Sequence, residues 1–275
     1  MKRNNLLGNA LAYAILILGS VIMFFPFYWM LITAVKTFKE SVVFPPTMFP
    51  EEITLDNFRY VISQTPFLRY MANSLLVSVV QLLFCIPITI LGAFALARLK
   101  IKGKNIILAV MIAVTMVPFE LIVLTNYRTV IDLGLNDNLL ALIVPFISSV
   151  YYTVILRNSY LSSPVSLYFS AKLDGASDWK YLWKILVPLS KPTLFSISIF
   201  NLIASWNSFM WPMLVIKSPE IRTWPFGLFA FATEQWINIP LTMAAACIAL
   251  IPVLVFFLFT RKYLVASVLS GGLKG

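Results

Sequence analysis

Six apolar runs, each long enough to cross a bilayer or close to it, constrain this chain more than any other feature: residues 6–35, 70–97, 106–124, 139–156, 193–216 and 241–260. Inside hydrocarbon every backbone N–H and C=O needs a partner, and a segment of about 20 apolar residues supplies those partners within itself only as a helix. The expected fold is all-α: a polytopic membrane protein with six transmembrane helices, built as a single transmembrane domain over residues 1–275. Composition agrees, with 60% hydrophobic and 12% charged residues and a mean hydropathy of +0.88, against roughly 25% charged residues in a soluble domain.

The first run follows Met1-Lys2-Arg3-Asn4-Asn5, which has the charge of a secretory signal. The run is too long for a signal and lacks a convincing cleavage site, so it reads as a retained span. Lysine and arginine then set the orientation. With the N-terminus inside, the inner segments hold 14 of the 21 basic residues, among them Arg98, Lys100, Lys102, Lys104, Arg157, Lys172, Lys180, Lys184 and Lys191. Of the acidic residues only Asp174 and Asp178 fall on that side. Both termini are therefore expected in the cytoplasm, together with the loop at 162–191. The net charge of +10 is spread over short loops instead of one face, which suits a basic cytoplasmic surface and not nucleic acid.

Chemistry inside the spans has little to work with. There is no histidine, and Cys85 and Cys247 sit isolated in apolar runs, where they read as small packing residues. Disulfide frameworks, zinc sites and histidine-based catalysis are all disfavoured, and the chain reads as no enzyme. No Gly-x-x-x-x-Gly-Lys-Ser/Thr loop is present to cradle ATP phosphates.

The longest polar interval on the basic side is 162–191, and it reads as two short helices joined at a turn. Ser162-Ser163-Pro164 makes a helix start that should run to about Leu173, where Asp174-Gly175 breaks it. Ser177-Asp178 starts a second helix, with the acidic side chain at the positive end of the dipole and Lys184 and Lys191 toward the other. Trp179, Leu182, Trp183 and Leu186 fall at i, i+3, i+4 and i+7 and give it one apolar face, and Pro188 and Pro192 are expected to end it. On shape alone, two uses stay open: an interfacial helix lying on headgroups, or a contact for a soluble partner.

Three other places carry candidate function. Glu120 follows Pro118 in the third run, where the proline can break the helix and open the segment to a watery entrance; the carboxylate lines a pathway, pairs structurally or with a partner subunit, or is simply exposed. The fifth run carries Ser205-Trp206-Asn207-Ser208-Phe209-Met210-Trp211-Pro212, whose indoles and amide suit either a sugar ring or an interfacial anchor. The outer segment from about residue 36 to 69 begins proline-rich, with a short helix expected near 55–63 capped by Thr54 or Asp56. It serves either as a lid over the span ends or as an external docking platform.

The 162–191 loop resembles the cytoplasmic coupling loop of ABC-importer permeases, the EAA motif: Glu-Ala-Ala, then Gly, then a hydrophobic residue and Leu-Pro. Here stand Phe169-Ser170-Ala171, Leu173-Asp174-Gly175-Ala176 and Ile185-Leu186-Val187-Pro188. Phe169 replaces the acidic residue, Ser170 the first alanine, and Val187 the usual leucine, while the Asp-Gly-Ala core and Pro188 are intact. Trp206-Asn207, Trp211-Pro212, Ser218 to Thr223 and Gly227-Leu228 are similar to the fifth span and outer loop of carbohydrate importers of the maltose type. Met243 to Ala246, Ile251-Pro252 and the tail from Arg261 through Ser270-Gly271-Gly272 to Gly275 are similar to that group's ending, with Ala266 where many members have glycine.

The resemblance implies a multi-pass permease of the bacterial cytoplasmic membrane, importing a di- or oligosaccharide, with glycerol-3-phosphate or another small polar solute as the alternative cargo. It implies a second homologous permease, two ATPase subunits and an extracytoplasmic solute-binding protein as partners, with ATP and magnesium held by the ATPases and no cofactor on this chain. ATPase coupling falls to Phe169, Ser170, Ala171, Leu173, Asp174, Gly175, Ala176 and Pro188. The substrate pathway falls to Glu120, Trp206, Asn207 and Trp211. An ion-coupled secondary transporter is the rival class, and only Glu120 would serve it.

Overall fold

The computed structural model describes residues 4–235 and 238–272, and every regular element among them is helical. The helices are α1 (Asn4–Ala34), α2 (Asp56–Gln64), α3 (Phe67–Arg98), α4 (Lys104–Thr115) and α5 (Phe119–Asp132). They continue as α6 (Leu139–Ser162), α7 (Val165–Leu173), α8 (Asp178–Leu189), α9 (Lys191–Trp206), α10 (Met210–Val215), α11 (Trp224–Glu234) and α12 (Ile239–Gly272). The helix α12 carries the backbone of the expected tail to Gly272, and Leu273–Gly275 lie outside the described residues.

Three stretches are long and apolar enough to span a bilayer by length and composition: Gly8–Ala34, Phe67–Arg98 and Leu139–Ser162, the last interrupted between Ile143 and Val150. Two more are bent pairs, α4 with α5 at 96° and α8 with α9 at 77°, so the described residues offer three to five candidate spans. Ile239–Val255 is a shorter apolar helix. The break in the third run lies where Pro118 predicts it, because a proline disfavours helical backbone in the residue before it. The fifth run departs from the expected continuous span: helix ends at Trp206 and resumes at Met210.

By contact density the chain divides into two units, Met1–Phe67 with Leu228–Phe259, and Leu68–Gly227 with Thr260–Gly275. In the first, a polar knot closes the end of α1. Asn57 donates from Nδ2 to the carbonyl oxygens of Ala34 (2.9 Å) and Lys36 (2.8 Å), supplying partners that a helix C-terminus lacks. The Glu40 carboxylate, nearly buried, lies 3.8 Å from the Lys36 ammonium and accepts from the Thr47 hydroxyl (2.7 Å) and the Glu51 N–H (3.1 Å). Burial pushes the Glu40 carboxyl up, but these three partners, with the backbone N–H of Glu52, outweigh it and hold the group below its ordinary value. The helix α2 starts at Asp56, and its cap residue is Leu55, not the expected Thr54 or Asp56: Leu55 bears no side-chain cap bond, while the Thr54 hydroxyl accepts from the Asp56 N–H at 3.1 Å.

In the second unit α3 carries the polar contacts that tie the other spans together. Ser74, Ser78 and Gln81 recur at one or two turns' spacing and are all buried. Ser74 accepts the Trp224 N–H (2.7 Å), Ser78 meets the Ser205 hydroxyl (3.0 Å), and Gln81 donates from Nε2 to the Leu142 carbonyl (2.6 Å). The last bond matters because Pro145 turns this part of α6 into a short 3₁₀ segment, Val144–Phe146, and disrupts the carbonyl ladder before it.

Candidate functional site

The helix α7 ends as the Asp-Gly pair requires. Gly175 takes φ +74°, its N–H bonds to the Lys172 carbonyl (3.1 Å), and the Ala176 N–H bonds to the Ala171 carbonyl (2.8 Å). These are the paired bonds of a Schellman motif, with Ala171 and Ala176 facing each other across the closure. A residue with a Cβ meets no obstacle at 175, so the demand for glycine there is torsional. The next helix is capped by Ser177, whose hydroxyl accepts the Lys180 N–H at 3.1 Å.

At the other end of α7 the expected serine cap is absent. Ser162 donates to the Ser159 carbonyl and closes α6, leaving Pro164 as the residue that starts α7. Pro188 does not end α8 as expected. It sits exposed inside the last turn, and Leu182–Leu186 ahead of it forms a π-helical turn in which the Val187 N–H reaches back to Leu182. Widening the turn accommodates a proline that has no N–H for the carbonyl four residues back. The chain bends instead at Ser190, and Pro192 lies in the first turn of α9.

The expected apolar face of α8 is divided. Leu182 and Leu186 are buried with Tyr181 against Phe94 and Ala97 of α3 and Leu156 and Tyr160 of α6, with Trp183 packed on their edge. Trp179 is exposed. Ala171 alone among the eight coupling candidates is buried, while Phe169, Ser170, Leu173, Asp174, Gly175 and Pro188 are exposed and Ala176 is half-buried. Phe169 and Leu173 are one helical turn apart, and at 59% and 89% exposure they leave an apolar edge unpacked by this chain.

Residues that sequence reasoning missed hold the two helices to each other. The Asp178 Oδ1 accepts from the Tyr168 hydroxyl (2.7 Å) and from the Lys172 ammonium (2.8 Å), and the Tyr168 ring meets the Tyr181 ring edge-on at 5.0 Å. The bond to Asp178 pushes the Tyr168 hydroxyl up to about 12. The i, i+4 spacing of Tyr168 and Lys172 was the available signal. Arg98, at the end of α3, donates to the carbonyl oxygens of Tyr160 (2.7 Å) and Ser163 (2.8 Å) and so anchors the start of the loop.

The pathway candidates do not share one environment. Glu120 is exposed in the first turn of α5, just past the bend. Trp206 is half-buried at the end of α9, and Asn207 is exposed in the break that follows. Trp211 is buried: its ring stands edge-on to Phe119 (5.9 Å) and Phe146 (6.2 Å), and its indole N–H donates to the Ala141 carbonyl at 2.9 Å. It lies in the core, not on an open wall.

Residues 71–269 match the family described as the inner membrane component of binding-protein-dependent transport systems. The chain belongs to this family. It is a membrane-embedded transport component, not an enzyme, and its place is the bacterial inner membrane. Among its relatives, the diacetylchitobiose uptake system permease protein DasC of Streptomyces coelicolor is 32% identical over 91% of this chain and 92% of that protein. The arabinooligosaccharides transport system permease protein AraQ of Halalkalibacterium halodurans is 30% identical over 82% of this chain and 81% of its own. In fold, the family member is similar to a chain of a bacterial ABC transporter that imports the acidic polysaccharide alginate, with a TM-score of 0.79 over 96% of this chain and 98% of that one at 22% identity.

Proposed function

We propose that this chain is one of two transmembrane subunits of an ATP-driven importer for a di- or oligosaccharide. The observation that carries the reading is the elbow at Ala171–Gly175, a rigidly closed helix end that presents Phe169 and Leu173 outward on the basic side of the chain. The sugar class draws support from the two relatives named for diacetylchitobiose and arabinooligosaccharides. Glycerol-3-phosphate is named by neither.

In this reading the whole chain is one domain of six spans, the two bent pairs and the helix α12 adding to the three long ones, with both termini in the cytoplasm. The partners are a second permease, two ATPase subunits that hold ATP and magnesium, and an extracytoplasmic binding protein that delivers the sugar. Closure of the ATPase pair moves the elbow, and the elbow moves α3 and α6 through the buried cluster around Tyr181, Leu182 and Leu186. Phe169, Ser170, Leu173, Asp174 and Gly175 form the docked surface, with Ala171, Ala176 and Pro188 shaping it. Glu120, Trp206 and Asn207 face the pathway, and Trp211 supports that wall from behind.

Tagging this chain and purifying it from native membrane tests the reading. A second permease, an ATPase and a binding protein are expected to come with it, and the binding protein's ligand names the cargo. A chain that comes out alone and stable overturns the importer assignment.

A further inference from the structure

We propose that Tyr168, Lys172 and Asp178 form a clamp across the elbow, holding α7 and α8 at a fixed angle so that a push on Phe169 and Leu173 reaches α3. They are positioning residues, and their role rests on the ATPase-docking reading above.

Covalently, the two helices meet only through residues 174–177, and the Schellman bonds close α7 without reaching α8. No heavy atom lies within 4 Å of where a Cβ at Gly175 would stand, so nothing wedges the turn itself, and the angle between the helices is set by side chains on either side of it. What bridges the pivot is side chains. Tyr168 and Lys172 occupy successive turns of one face of α7, and Asp178 is the first residue of α8. One carboxylate oxygen takes a hydrogen bond from each, at 2.7 and 2.8 Å, and the Lys172 ammonium lies 5.5 Å from the centroid of the Tyr168 ring. Two donors from one helix on one acceptor of the other resist both hinge and twist, and bonds to a charged acceptor are stronger than neutral ones.

The clamp is continuous with the core. Tyr168 meets the fully buried Tyr181 at 5.0 Å, and Tyr181 meets Phe94 of α3 at 6.4 Å. On its outer side the Tyr168 ring lies 5.9 Å from that of Phe169. Four aromatic rings thus run from the exposed edge of the loop into a span, and the second of them is fixed by the Asp178 carboxylate. Close-packed interiors transmit displacement only if each member is held in place.

The test uses the complete complex, reconstituted with its ATPase and binding protein, and reads two quantities: ATPase retained on purification, and solute taken up per ATP hydrolysed. Tyr168→Phe removes only the hydroxyl, and Asp178→Asn removes only the charge. Both variants should keep the ATPase, while uptake per ATP falls about threefold, a modest factor because Lys172 and Asp178 are partly exposed and their attraction is screened. Asp178→Glu should restore most of the ratio. An unchanged ratio in both variants, with the ATPase bound, overturns the clamp, as does a ratio that falls only in step with loss of the ATPase. If the unmodified complex itself brings no ATPase, the docking reading fails first and takes the clamp with it.

Discussion

The indole N–H of Trp211 donates at 2.9 Å to the carbonyl oxygen of Ala141, four residues ahead of Pro145, which has no N–H to give. A tryptophan 70 positions along the chain thus fills the place of the missing helical donor. Trp211→Phe keeps the ring but leaves that carbonyl unpaired in a dry interior, at a cost of about 1 kcal/mol. The thermal midpoint of the purified complex should fall, and adding Pro145→Ala should recover part of it by returning a donor. A double variant no more stable than Trp211→Phe alone would detach the indole from the proline.

Gly175→Val forces a β-branched residue to φ +74°, which costs at least about 1–2 kcal/mol. The variant should insert into the membrane normally but either lose its ATPase or hydrolyse ATP without transport. Gly175→Asn, which tolerates this backbone, should be milder. Normal transport by the valine variant would remove the coupling role from the elbow.

A Cβ at Gly227 would stand 2.1 Å from Cδ2 of Tyr70 and 2.4 Å from Cε2, so α11 lies against the face of a buried ring with no room for a methyl group. Gly227→Ala should destabilise by about 1–3 kcal/mol through overpacking. Thermal melts of Gly227→Ala, Tyr70→Ala and the pair together check it: the double variant should be less unstable than the sum of the two singles, and strict additivity would contradict the clash.

The Glu40 carboxyl is held below its ordinary value of 4.5 in the folded chain, so its ionised form stabilises the segment around residues 36–56 at and above that pH. This contribution disappears as pH falls through the folded value. Glu40→Gln should therefore make residues 36–56 more sensitive to protease at neutral pH, with the difference from the unmodified protein shrinking in acid. A difference that grows toward low pH would reverse the sign of the argument.

Trp206→Ala and Asn207→Ala should weaken uptake without loosening the ATPase, because both lie at the end of α9 away from the elbow. Uptake kinetics in vesicles decide this. Unchanged uptake in both variants would shift solute contact to the partner permease.

Much of this was legible in the sequence because it is local. Apolar run length marks candidate spans, Pro118 marks the bend in the third run, and Asp174-Gly175 with Ser177 marks the elbow. The parts that were not legible depend on contacts distant in sequence or on a choice between equal local options. Trp211 reads as an anchor or a sugar platform until Ala141 is seen beside it. Pro188 reads as a stop signal because a π-helical turn ahead of it leaves no mark in composition. Asp178 reads as a dipole partner, and only the angle between α7 and α8 shows that Tyr168 and Lys172 reach it first.

In α1, the most apolar window has 6% of its residues buried within the chain, and exposed side chains run around its whole girth from Leu11 to Phe27. Lipid tails and leucine are alike as solvents, so where lipid is the neighbour, contacts within this chain favour no azimuth of the helix. Along this stretch selection can act on hydrophobicity summed over a turn and hardly at all on the identity of any single residue. Exchanges among leucine, isoleucine, valine and phenylalanine there should drift freely between related chains, whereas Trp211 and Gly227 should not.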